Sequence, residues 1–189
     1  PSGNYYRRQI DRWTAQYHAT ATEDLPEMEA LIVWLDAHVP PEDGQRCLVH
    51  GDYRLDNLLF APDGTECVAV LDWELSTLGH PLGDFVYHMG PWILPAIDEN
   101  VSTLEGLDLP ALGIPTEEQY IARYCELSGI SEIPNLDFYR AYTLWRIAAI
   151  YQGIIKRVQD GTAANTDAPT TTDIVEQFAE RAWSFAERA

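Results

Sequence analysis

Tyr6, Ile10, Trp13 and Tyr17 recur at intervals of three and four, and this spacing predicts an amphipathic helix over about residues 4–20. Pro26 suits the first turn of a second helix, with Met28, Leu31, Ile32 and Leu35 as its apolar stripe, and Pro40-Pro41 stops the chain soon after His38. The pattern then changes. Three short apolar runs, Cys47 to His50, Leu58 to Phe60 and Cys67 to Leu71, read as strands, and Pro62-Asp63-Gly64 is the turn that would fold the last two into a hairpin. Polar residues follow the first and third runs at once, His50 to Asn57 and Asp72 to Glu74, so a site is expected at that end of the strands. Helical spacing resumes from about Gly83 to Met89. Thr116 is a fitting N-cap for a helix to about Ser128, with Glu117 and Glu118 in its first turn. Leu136 to Val158 carries Tyr142, Trp145, Ile147, Ile150, Ile154 and Ile155 and reads as the central buried helix. Residues 160–172, rich in Thr, Ala, Gly and Asn, read as a mobile loop before a closing amphipathic helix from Asp173 to about Arg188. The pattern predicts an α+β chain that is mostly helical, with a small β-hairpin patch.

Composition narrows this picture. With 46% hydrophobic residues, six Trp and ten Tyr, the 189-residue chain can fill a core, and wholesale disorder is excluded. The length fits one domain or one large lobe. A net charge of −18, without any Lys/Arg run, argues against nucleic acid as a partner. Such a surface suits cationic substrates or divalent metal, although solubility is the ordinary reason for acidity. Cys47, Cys67 and Cys125 form no CxxC pair, so reduced, mostly buried thiols in a cytoplasmic protein are expected. No apolar run reaches membrane-spanning length, so no membrane partner is expected.

The chemistry concentrates in His50-Gly51-Asp52-Tyr53-Arg54-Leu55-Asp56-Asn57, followed by Leu71-Asp72-Trp73-Glu74. Phosphoryl transfer needs an acceptor hydroxyl held in line, a carboxylate to take its proton, and metal ions to neutralise phosphate charge. Asp52 and Asn57 supply a carboxylate and an amide from one short loop, and Asp72 adds a hard oxygen ligand of the kind Mg²⁺ prefers.

These segments resemble the catalytic loop and metal-binding segment of the aminoglycoside phosphotransferase and choline kinase-like family, which has a protein-kinase-like fold. Gly51 stands where protein kinases usually have Arg, and Trp73-Glu74 replaces Phe-Gly, both as in the small-molecule kinases. Leu78-Gly79-His80-Pro81-Leu82-Gly83-Asp84 is similar to a further family signature. The resemblance implies an ATP- and Mg²⁺-dependent O-phosphotransferase acting on a small-molecule hydroxyl. It implies Asp52 as the base, Asn57 and Asp72 as Mg²⁺ ligands, and Leu59 as the floor under the adenine. His50 would brace the loop, and Asp84 would cap or anchor the helix near it. Arg54 would pair with Asp56, Asp84 or Glu74, or bind phosphate; Glu74 would touch metal through water or remain a solvated acid. Trp92, after Gly90-Pro91 in an expected loop, would line a pocket.

The resemblance covers the chain from about residue 4, as a single C-terminal catalytic lobe spanning 1–189. No Gly-rich loop precedes a Lys-bearing strand, so the N-terminal nucleotide-binding lobe is expected to be absent from these residues, leaving weak ATP binding, little turnover and an apolar wall that favours a homodimer. Asn4 to Trp13, together with the motifs above, is similar to the branch associated with acyl-CoA dehydrogenases. That implies association with an acyl-CoA dehydrogenase and a hydroxy acid or hydroxyacyl-CoA as acceptor. Arg123, Arg140, Arg146 and Lys156 would then have to offset the chain's negative charge. The alternative is a non-catalytic kinase-like binding or interaction module.

Overall fold

The computed structural model describes residues 3–64, 66–97, 101–163 and 169–189. Helix α1 (Tyr5–Thr20) starts where the Asn4 side chain accepts the N–H groups of Tyr6 and Arg7, and it buries Tyr6, Ile10, Trp13 and Tyr17. Helix α2 (Pro26–Ala37) has Pro at its first position and buries Met28, Leu31 and Leu35. Four short strands follow: β1 (Cys47–Val49), β2 (Leu58–Phe60), β3 (Cys67–Val70) and β4 (Thr77–Gly79). The remaining helices are α3 (Leu82–His88), α4 (Gly90–Ile93), α5 (Leu109–Leu112), α6 (Glu117–Ser128), α7 (Leu136–Gln159) and α8 (Asp173–Ala186). A complete capping box, Thr116 with Gln119, opens α6.

Helix α7 is the axis of the fold. Thirteen of its residues are buried, from Phe138 to Ile155, because α1, α2, α3, α4 and α8 all pack around it. Helix α8 runs along it and seats Val175, Phe178, Ala179 and Ala182. The small residues Ala148, Ala149 and Gly153 let neighbouring helices approach, and Trp145, Phe138, Leu144 and Phe178 fill the space between.

The strands form two separate antiparallel ribbons. β2 pairs with β3 in the expected hairpin, with an irregularity between Leu59 and Phe60. β1 pairs instead with β4, a strand the sequence pattern did not predict, in the register Cys47↔Gly79 and Val49↔Thr77. Gly79 is fixed by space: a Cβ there would stand 2.5 Å from the Tyr5 ring and 2.8 Å from the Val49 side chain. Helices α4 and α5 were also unpredicted, and Trp92 therefore lies in a helical turn rather than a loop.

One expectation changes on inspection of burial. Only Cys125 is buried; Cys47 is half-buried and Cys67 exposed, because the outer face of β3 is uncovered. Of the loop expected over 160–172, residues 164–168 lie outside the described residues. Leu48, Leu59, Phe60, Val68, Leu71 and Leu78 all lie exposed along the two ribbons. No helix among the described residues is long and apolar enough to cross a membrane.

Phe178 is fully buried between α8 and the Tyr151 ring of α7, 5.1 Å away between centroids. Phe178→Ala should therefore destabilise the chain by about 3–5 kcal/mol. Chemical denaturation followed by circular dichroism will show this as a lower midpoint; an unchanged midpoint would mean that α8 is not part of the cooperative core.

Candidate active site

β1 carries the chain to His50, which is only 2% exposed. Its Nε2–H donates to the Leu71 carbonyl at 2.7 Å, and its Nδ1 accepts the Asp52 N–H at 3.2 Å. The two bonds together require the Nε2–H tautomer. His50 thus ties the loop that follows β1 to the end of β3.

Asp84, in the first turn of α3, does not cap its own helix. It reaches across to the loop and accepts the His50 N–H at 2.6 Å and the Gly51 N–H at 2.8 Å. Gly51 has φ of +86°, and a Cβ there would stand 2.7 Å from the Leu75 carbonyl oxygen, so both conformation and space demand glycine. The Gly51 carbonyl accepts a bond from Arg146 of α7 at 2.5 Å.

The loop closes with a 3₁₀ turn, Leu55–Asn57. The Asn57 amide nitrogen donates to the Asp52 carbonyl at 2.8 Å and to its carboxylate at 3.0 Å. The Asn57 backbone carbonyl in turn accepts the Leu71 N–H at 2.8 Å. Leu71 is therefore held on both sides, by His50 and by Asn57, and the next residue is Asp72. Asp72 has φ of 64° and ψ of 54°, a left-handed conformation that non-glycine residues rarely adopt, and it leads into a second 3₁₀ turn, Trp73–Leu75. Asp52 and Asn57 are half-buried and Asp72 is exposed.

The donor chemistry fits a hard cation. Because Asn57 commits its amide nitrogen to Asp52, its oxygen is the atom left for a metal. The exposed Asp72 carboxylate makes no side-chain hydrogen bond among the described residues. Oxygen pairs of this type suit Mg²⁺ completed by water and phosphate. None of the three lines the pocket of about 220 Å³ between α1, residues 40–46 and β4.

Other expected site residues are placed as follows. Leu59 is 51% exposed on β2, opposite Ala69. Arg54 pairs with Asp56 at 2.8 Å on the surface, where such pairs contribute little. Glu74 is exposed in the second 3₁₀ turn. The Trp92 ring stacks on Tyr120 with centroids 4.7 Å apart, and its Nε1–H donates to the Pro115 carbonyl at 3.0 Å. The basic residues expected to offset acidity are engaged: Arg123 with Glu126, Arg140 with Glu117 and Asp137, Lys156 with Asp160, and Arg146 with Gly51.

Tyr87 of α3 was not anticipated. Burial pushes its hydroxyl up to about 12, Arg146 opposes this, and the Asp52 carboxylate raises it further by its charge and as a hydrogen-bond partner. Tyr53 packs on His88, whose ring burial holds below the ordinary histidine range against a bond to the Tyr53 backbone. No motif names Tyr87. The available signal was its position three residues after Asp84 on a helix, which places both on one face.

Asp84→Ala removes two charge-assisted bonds and leaves two N–H groups without partners, at a cost of about 1.5–3 kcal/mol. Hydrogen exchange at residues 50–52 should rise sharply in this variant; wild-type protection there would show that Asp84 does not hold the loop.

A model of the phosphotransferase enzyme family matches residues 1–149. Mouse (Mus musculus) acyl-CoA dehydrogenase family member 10 is 45% identical over 184 residues, covering 97% of this chain and 17% of its own length. Human (Homo sapiens) acyl-CoA dehydrogenase family member 11 is 37% identical over 189 residues, covering 97% of this chain and 24% of its own length. The chain thus spans a quarter or less of these relatives. A crystal structure of a candidate aminoglycoside phosphotransferase from Ralstonia eutropha JMP134 superposes with a TM-score of 0.91 at 46% identity, covering 100% of this chain and 57% of that one. With the helical axis, the two ribbons and the loop they carry, these matches make the architecture that of the C-terminal lobe of a protein-kinase-like fold, and the chain belongs to the phosphotransferase enzyme family known as APH.

Proposed function

We propose that this chain carries the catalytic loop and metal-binding segment of an ATP- and Mg²⁺-dependent O-phosphotransferase whose acceptor is a hydroxyl on a small molecule. The observation that carries this reading is the single bonded unit of Asp52, Asn57 and the residue before Asp72. Asp52 is the group to take the acceptor's proton, since a carboxylate oriented by Asn57 can hold a hydroxyl in line for attack. Asn57 through its amide oxygen and Asp72 through its carboxylate are the groups to hold Mg²⁺. When bound, Mg²⁺ offsets the charge of the nucleotide phosphates. Leu59 offers an apolar surface to the adenine. His50, Gly51 and Asp84 keep the loop rigid, so little reorganisation is left for the reaction.

The single-lobe reading of residues 1–189 extends this proposal: the phosphate-holding loop and lysine belong to a segment outside these residues. The names of the relatives support a role beside an acyl-CoA dehydrogenase. The acceptor is then a hydroxy acid or hydroxyacyl compound. Arg123, Arg140 and Lys156 are paired with acids and Arg146 with a backbone carbonyl, so positive charge for an anionic acceptor would come from other residues.

In the full-length protein, Asp52→Ala should lower turnover by about 10²–10⁴-fold with nucleotide affinity nearly unchanged. Asp72→Ala should weaken Mg²⁺-nucleotide binding and turnover together. ADP release measured across hydroxy acids, hydroxyacyl-CoAs, choline-like alcohols and aminoglycosides tests both. Near-normal turnover of Asp52→Ala would rule it out as the base.

A further inference from the structure

We propose that Arg146 and Tyr87 form a positioning pair that fixes the orientation of Asp52, a role that rests on Asp52 being the base. Arg146 lies in the middle of α7 and is 5% exposed. Taking a guanidinium out of water is costly unless it is paired, and an apolar side chain of similar volume would usually fill such a site at no loss of stability. Yet Arg146 makes no salt bridge among the described residues. Its charge is spent on one backbone carbonyl, that of Gly51, at 2.5 Å, and on two aromatic faces: Trp13 at 5.0 Å and Tyr87 at 4.7 Å from the ring centroids. Packing alone gives no reason for a cation here. The residue it holds gives one.

Gly51 and Asp52 share a peptide unit, and both polar groups of that unit are taken. Arg146 binds its carbonyl, and His50 Nδ1 accepts its N–H at 3.2 Å. A peptide plane held at both edges sets the direction in which the Asp52 side chain leaves the backbone. The carboxylate is then held at its far end by Asn57 at 3.0 Å, and the Tyr87 hydroxyl lies close enough for the Asp52 charge to raise its pKa. Burial keeps that hydroxyl protonated, so toward a carboxylate it can act only as a donor. Arg146 covers the ring of the same Tyr87, so one guanidinium supports the base at its backbone and, through Tyr87, at its carboxylate. A single-atom displacement of a base from its line of attack lowers the rate without altering how nucleotide binds elsewhere.

The test uses the full-length protein, Mg-ATP as the probe, and ADP release to water or to the best acceptor as the rate. Arg146→Lys keeps the charge but cannot cover both rings while forking to the carbonyl. Tyr87→Phe removes only the hydroxyl. Both should lower kcat by about 10–100-fold while KM for ATP stays within about twofold. Hydrogen exchange should quicken at residues 50–52 in Arg146→Lys, with α7 still protected. Wild-type kcat and wild-type loop exchange in both variants would overturn the proposal. So would a loss in which kcat and α7 protection fall while KM for ATP rises, since that describes a core residue only. Asp52→Asn separates the two ideas: if it turns over normally, the base assignment fails, while loop exchange in Arg146→Lys still decides whether the pair fixes the loop.

Discussion

The Asp84 carboxylate takes two consecutive backbone N–H groups, His50 and Gly51, across the gap between α3 and the loop after β1. Consecutive N–H groups can reach one anion only where the backbone turns sharply, and Gly51 with its positive φ supplies that turn. Leu82, Phe85 and Val86 anchor α3 in the core, so the loop inherits its position from the helical bundle rather than from the small ribbons. That matters because two-stranded ribbons are marginal on their own. The site is placed by helices and only presented by strands.

His50 carries this order outward. Its imidazole spans from the Asp52 N–H to the Leu71 carbonyl, and Asn57 takes the other side of Leu71. The end of β3 is thereby locked to the loop before the chain enters Asp72. The left-handed backbone at Asp72 costs energy, on the order of 1–3 kcal/mol, and persists only where surrounding bonds over-determine it. Those bonds are the two on Leu71 and the Trp73 Nε1–H to the Val70 carbonyl at 2.8 Å. Strain at a residue whose carboxylate faces solvent is consistent with placing that carboxylate for a ligand rather than for the fold.

Much of this could be read from the chain. Helices α1, α2 and α8 carry three- and four-residue apolar spacing because each buries one face against α7, α6 shows in its Thr116 cap and α7 in its long apolar run, and the hairpin announces itself at Pro62-Asp63-Gly64. β4 could not be read, since Thr77-Leu78-Gly79 holds one large apolar residue and is a strand only because β1, far away in sequence, pairs with it. Helices α4 and α5 are four residues long, too short for a period to show; α4 packs on α3 and α7, while α5 is held by local caps at Asp108 and Gly113. The motif residues were legible as a group, while their bonds were not. Asp84 was expected near its own helix and instead serves the loop, because a side chain's reach across a fold leaves no trace in local sequence. Arg146 did leave one: a charge between Trp145 and Ile147, within the most apolar stretch of the chain, is a conflict that only a specific partner resolves.

Charge sets the last constraint on how such a site can work. Asp52 on the loop and the exposed Asp72 and Glu74 after β3 carry negative charge on segments that are bonded to one another, and Arg54 is occupied by Asp56. Arg146 faces inward, toward the loop's backbone, so it lends those segments no outward positive charge. An anionic phosphate approaching these carboxylates unaccompanied would be repelled. The same carboxylates attract a divalent cation, and Asn57 offers it a neutral oxygen that adds no further repulsion. Charge of this sign therefore favours phosphate delivered together with its metal. It leaves the recognition of an anionic partner to groups other than the buried guanidinium, which is committed to the Gly51 carbonyl.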